Sequence, residues 1–234
     1  MNELLLLTFT ATSLGFIHTA LGPDHYLPFI VLSKARKWSV SKTMWITFIS
    51  GVGHVGGSVA IGLIGIALGI SLNKLTFIED FRGDIVALLL ILFGLIYTGF
   101  GFYQFLKKGG HSHLPDFLIP KNLREMKHLV NHGLEEKVDR AKLTPWVLFI
   151  IFVFGPCEVL IPMLFIPAVQ KSSTGIASVA ISFGIATITT MMLIVYLGHL
   201  GSSLLKFRSM EKYMHLIAGL VILGAGLCMY FLGW

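Results

Sequence analysis

An aspartate and two histidines sit inside sequence apolar enough to lie in a bilayer. The stretch Gly15 to Val31 carries His18, Gly22, Pro23, Asp24 and His25 among Phe16, Ile17, Ala20, Leu21, Leu27, Phe29 and Ile30. An ionisable group at that depth is costly, so a functional role is the default expectation. Imidazole and carboxylate together suit a transition metal or a proton. Gly22 and Pro23 fall between them. Proline lacks an N–H and clashes with the preceding turn, so the helix should break there and turn polar backbone toward whatever the side chains bind. The simpler reading is a proline kink whose polar groups bond to one another, which still leaves Asp24 without a reason to be in a membrane.

The rest of the chain supports the membrane setting. Of 234 residues, 55% are hydrophobic and 13% charged, far from the balance of a soluble domain. The N-terminal apolar run lacks a basic leader and a small-residue cleavage site and passes straight into the Gly22-Pro23 break, so it reads as a membrane helix. Apolar runs of crossing length give six spans. The first is Leu4 to Leu21, with His25 to Leu32 completing the crossing or re-entering. The second runs from Met44 to Ile70 and is rich in glycine, which lets membrane helices approach closely. A polar loop, Ser71 to Asp84, leads to the third, Ile85 to Leu106. After Pro145 the fourth runs to Phe154, breaks at Gly155 and Pro156, and continues past Leu160. The fifth is Gly175 to Leu197 and the sixth Met214 to Trp234.

Basic residues then set an orientation. The first, third and fifth connectors carry 4, 8 and 3 Lys+Arg, while the others hold only Lys74, Arg82 and Lys171. Crowded connectors belong in the cytoplasm, which puts both termini outside a plasma membrane. The net charge of +6 therefore speaks of orientation and lipid headgroups rather than nucleic acid.

An internal repeat is visible. Gly22-Pro23-Asp24-His25 with Pro28 resembles Gly155-Pro156-Cys157-Glu158 with Pro162, and Gly51 to His54 falls at the same offset from Gly184 to Thr187. With three spans between the two starts, the halves have opposite orientations, and paired broken helices point to a midplane site. The expected fold is thus all-α: two inverted three-helix repeats with proline-broken helices, residues 1–106 and 144–234, joined by a cytoplasmic connector, 107–143.

The candidate site follows from the repeat. Besides Asp24, the only carboxylate deep in an apolar segment is Glu158, and the two share one cavity if the breaks face each other. His18, Asp24, His25 and Glu158 offer two nitrogens and two carboxylates, and His54 either adds a third imidazole favouring nickel or cobalt or donates to a backbone carbonyl. Cys157 is either a soft ligand or a small packed thiol. Two carboxylates brought close raise one pKa, a route to proton coupling through Asp24 and Glu158. His199 and His215, near span ends, read as structural, and Thr187, Thr189 and Thr190 either line a polar path or, more commonly, bond back to their own helix. In the connector, His111 and His113 with His128 and His132 form a histidine-rich tract able to capture metal. No phosphate-cradling loop or nucleophilic triad appears, so neither catalysis nor a resident cofactor is expected, and transport would run on an ion gradient or on the substrate's own.

His18 with Asp24-His25 resembles the histidine and aspartate-histidine signature of the nickel/cobalt transporter family and its His-rich efflux relatives. Gly155-Pro156-Cys157-Glu158 resembles the Pro-Cys element of the broader superfamily of lysine exporters, TauE-like proteins and cytochrome c biogenesis thiol carriers. The first resemblance implies that His18, Asp24 and His25 bind a transported Ni2+ or Co2+. This sequence departs from that pattern by one extra residue between His18 and Asp24 and by fewer spans. The superfamily also implies two alternatives: a thiol-disulfide electron carrier, which needs two cysteines that can meet, or a TauE-like exporter of an anion such as sulfite, which two buried carboxylates disfavour unless they are protonated. Only Cys157 and Cys228 are present.

Overall fold

The computed structural model describes residues 3–109, 140–204 and 213–232. The connector histidines His111, His113, His128 and His132 lie outside the described residues. Regular structure among the described residues is entirely helical, as it must be where no water is present to satisfy backbone groups outside helices or closed barrels.

Helix α1, Glu3–Leu21, ends at Gly22 and is followed by a single 3-10 turn, Pro23–His25, and a short helix α2, Leu27–Ala35. The break falls where the proline demands it. Helix α3, Val40–Ala67, starts on Ser39, whose side chain accepts from the Lys42 N–H at 3.3 Å, a serine cap of the usual kind. It stops at Gly69, whose φ of 68° lets the Gly69 and Ile70 N–H groups reach back to the Ile66 and Gly65 carbonyls, closing the last turn in a Schellman motif.

Helix α4, Leu72–Gly109, corrects an expectation. The polar stretch Ser71 to Asp84 is not a loop: the helix starts at Leu72 and continues without interruption for 38 residues. Its charges read as solvent-seeking in the sequence, but Glu79 is 1% exposed and Arg82 is its partner. Beyond the connector come α5, Arg140–Phe154, α6, Leu160–Val169, α7, Ser173–Leu204, and α8, Met214–Leu232. The helix containing Pro145 begins upstream of it, at Arg140.

Five of these helices, α1, α3, α4, α7 and α8, are long and apolar enough to cross a membrane, while the fourth expected span is the broken pair α5 and α6. Large apolar side chains such as Phe9, Trp45, Ile64, Phe102, Ile185 and Phe231 face outward, a belt suited to lipid.

Packing pairs α4 with α8, α1 with α7, and α3 with α5, while α2 lies on α8 and α7 and α6 lies on α7 and α3. The α4–α8 contact is built on small residues: a Cβ at Gly94 would stand 2.5 Å from the Leu223 nitrogen, and one at Gly226 2.8 Å from that of Ile91. Without a hydrophobic force between helices in lipid, such close backbone approach supplies the attraction. Two apolar clusters result, one around Phe29, Leu32, Leu90, Phe152 and Ile222 and one around Ala11, Val55, Leu160, Leu164 and Phe183. The polar residues of interest lie between them.

Candidate functional site

His18 comes from the last turn of α1, His25 closes the 3-10 turn after the break, and His54 sits at the middle of α3. Their ligand nitrogens all lie within 4.8 Å of one another. His25 is perpendicular to both other rings, with ring centres 4.8 Å from His18 and 5.0 Å from His54. His18 borders Phe183 of one apolar cluster and His54 borders Phe152 of the other, each at 6.3 Å. The structure therefore joins three of the expected ligands into one group.

The hydrogen bonds set the roles of His25 and His54. His25 Nδ1 lies 3.2 Å from both the Gly22 carbonyl and Asp24 Oδ1. A proton on Nδ1 satisfies those acceptors and leaves the Nε2 lone pair facing His54 Nε2 at 3.3 Å. This is the carboxylate–histidine arrangement that orients a metal-binding imidazole from behind. Asp24 thus acts on His25 rather than beside it among the grouped ligand atoms. His18 Nε2 is buried and has no hydrogen-bond partner, a cost that an incoming ligand would remove.

A cavity of about 310 Å³ opens on this group, bordered by His18, Gly22, Asp24, His25, Pro156, Glu158 and Met229. A much smaller space, ≈ 20 Å³, is bordered by Asp24, His54, Phe152, Gly155 and Met229. Glu158 is exposed at the cavity edge, its Oε1 about 3.7 Å from where a Gly83 Cβ would stand. Both carboxylates border the cavity, yet Glu158 is not one of the grouped ligands.

Gly22 and Gly155 are where the backbone must come close. A Cβ at Gly22 would lie 2.5 Å from His25 Nδ1 and 2.9 Å from Asp24 Oδ1, and one at Gly155 3.0 Å from His54 Nδ1. Each break therefore presents a bare backbone to a site histidine.

Cys157 is fully buried within the Val55, Leu160 and Phe183 cluster and is not among the grouped ligands. Cys228 is exposed on α8, and neither forms a disulfide. Thr187 is buried with its hydroxyl unpartnered, contrary to the expected bond to its own helix, and Thr189 is exposed. His199 meets Ser33 and His215 meets Tyr97.

The sequence reading missed Glu79, Arg82 and Ser58. Glu79 and not Glu158 is the deeply buried carboxylate. Its Oε2 accepts from the Cys157 N–H at 2.9 Å and from Ser58 Oγ at 3.1 Å. The Glu79/Arg82 spacing of three residues amid Phe77, Ile78 and Phe81 was the available signal, since an i,i+3 pair on a helix meets.

A family model described as the cytochrome c biogenesis protein transmembrane region matches residues 27–231. No curated protein matches the chain, and no solved structure does. The match begins after His18, Asp24 and His25.

Proposed function

This chain belongs to the family of cytochrome c biogenesis protein transmembrane regions, and we propose that within it the protein carries a divalent transition-metal cation, Ni2+ or Co2+ first, across the membrane. The observation that carries this reading is the grouping of His18, His25 and His54 within 4.8 Å. Three imidazoles with a carboxylate behind one of them favour late first-row metals over Mg2+ or Ca2+, which prefer oxygen.

The neighbours of each element support two inverted halves. Element α1 lies on α7 as α5 lies on α3, and α2 lies on α7 and α8 as α6 lies on α3 and α4. His54, at the middle of a helix of 28 residues, then falls near the bilayer midplane, about 21 Å from either helix end at 1.5 Å per residue. In this scheme both termini are outside the plasma membrane, the ion sheds water in the cavity beside Asp24 and Glu158, and protonation of that pair accompanies release.

Titrating Ni2+, Co2+, Zn2+ and Mn2+ into the full-length protein in detergent tests the proposal. Saturable binding by wild type, lost in a His18→Ala, His25→Ala double variant, is the expected result. No binding of any of these ions by wild type overturns it.

The family match favours a second reading, a thiol-disulfide carrier. That function needs two cysteines able to meet, and here Cys157 is packed in an apolar cluster while Cys228 is exposed on the last helix. Trapping the redox state of both thiols in native membranes distinguishes the two.

A further inference from the structure

The two breaks satisfy their polar backbone by different means. At the first, the chain's own residues do it: His25 and Tyr26 reach back to the Gly22 and Ala20 carbonyls. At the second, a different helix does. Arg82 of α4 donates to the Val153 carbonyl at 3.3 Å and the Gly155 carbonyl at 3.2 Å, at the carboxyl end of α5. Glu79, one turn away, accepts from the Cys157 N–H on the approach to α6. Arg82 and Glu79 bond directly to each other, and Ser58 of α3 joins both.

The charges match the helix ends they touch. Unpaired carbonyls make the end of a helix negative and unpaired N–H groups make its start positive, so the cation lies on α5 and the anion faces α6. Between the two contacts runs Gly155, whose Cα faces His54 Nδ1.

We propose that Glu79 and Arg82 clamp the α5–α6 break and so hold Gly155 against the His54 ring, which makes the pair positioning residues for the histidine group. Neither residue is within that group. The clamp stands on the hydrogen bonds alone, whereas its effect on metal binding rests on the function proposed above.

The test uses the full-length protein in detergent with Co2+ alone as probe and an alkylating maleimide as a second readout. In wild type Cys157, 0% exposed, should resist alkylation. In Arg82→Met it should react, and Co2+ affinity should fall by about tenfold or more, within the range known for residues that orient metal ligands, with an altered Co2+ absorption spectrum. Arg82→Lys should lie between, because a single ammonium cannot hold both carbonyls, which Nη2 meets, and also Ser58 and Glu79, which Nη1 meets. If Arg82→Met does not fold, the paired variant Glu79→Met, Arg82→Met replaces it, since removing both charges avoids stranding one. A folded variant with unchanged Cys157 reactivity overturns the clamp. Increased reactivity with unchanged Co2+ affinity and spectrum overturns its positioning role. A wild type that binds no Co2+ removes the metal reading, and Cys157 reactivity then decides the clamp by itself.

Discussion

His25 Nε2 faces His54 Nε2 across 3.3 Å. Two nitrogens bound at ~2.0–2.1 Å to one tetrahedral ion stand ~3.3 Å apart, so this pair already has the bite of a metal site. In the metal-free protein one of the two must carry the proton between them. With His25 Nδ1 donating to Gly22 and Asp24, that proton belongs to His54, and a metal ion entering between the rings has to shift it to His54 Nδ1, a change of tautomer that leaves the ring neutral.

Metal binding should weaken as pH falls, because protons compete with the metal for the same lone pairs. A protonated imidazole has no lone pair to give, so affinity should be highest above the ordinary imidazole range of about pH 6.5 and drop steadily below it. Calorimetric titration of Ni2+ at a series of pH values follows this competition. An affinity that does not change with pH would contradict imidazole ligation.

Asp24→Asn keeps an acceptor near His25 Nδ1 but removes the charge behind the ring. Affinity should fall by about 10–100-fold with the protein still monodisperse, whereas His25→Ala should abolish saturable binding. Equal affinities for Asp24→Asn and wild type would remove Asp24 from the site.

Gly155→Ala should perturb the site without replacing a ligand. The added methyl would stand 3.0 Å from His54 Nδ1 and 3.1 Å from the Phe152 carbonyl oxygen, so the His54 ring or the break has to give way slightly. A Co2+ spectrum changed in this variant but not in Gly56→Ala, where nothing lies within 4 Å, is the expected outcome.

Breaking the buried ion pair from one side should cost more than removing both members. Glu79→Ala leaves Arg82 without its anion and should destabilise by about 3–5 kcal/mol, against a smaller loss for Glu79→Met, Arg82→Met, which strands no charge but leaves the Val153 and Gly155 carbonyls and the Cys157 N–H without these partners. Thermal unfolding in detergent compares them.

The glycines between α4 and α8 should be unforgiving. Gly94→Val would drive a branched side chain into the Leu223 backbone and part the two helices, with loss of monodisperse protein. Gly99→Ala, on the same helix with nothing within 4 Å, should be tolerated.

Several features were legible in the sequence because they depend on local chemistry. Pro23 and Pro156 cannot continue a helix, so both breaks lie where the prolines put them. Apolar runs of crossing length gave the membrane helices, and Asp24 beside His25 marked a polar site whatever packed around it. Only the tertiary structure decided which groups converge. His18, Asp24 and His25 are close in the chain, but His54 joins them only because α3 passes the first break at mid-length. Glu79 and Arg82 looked like loop charges because nothing local reveals a partner on the far side of a helix bundle. Burial made the difference: Glu79 meets Ser58, Arg82 and the Cys157 N–H inside the bundle, while Glu158, equally isolated among apolar neighbours in sequence, is left at the cavity's exposed edge. A charge's cost in an apolar segment is written in its type, but whether it is met by a partner, a cavity or water depends on contacts between residues distant in the chain.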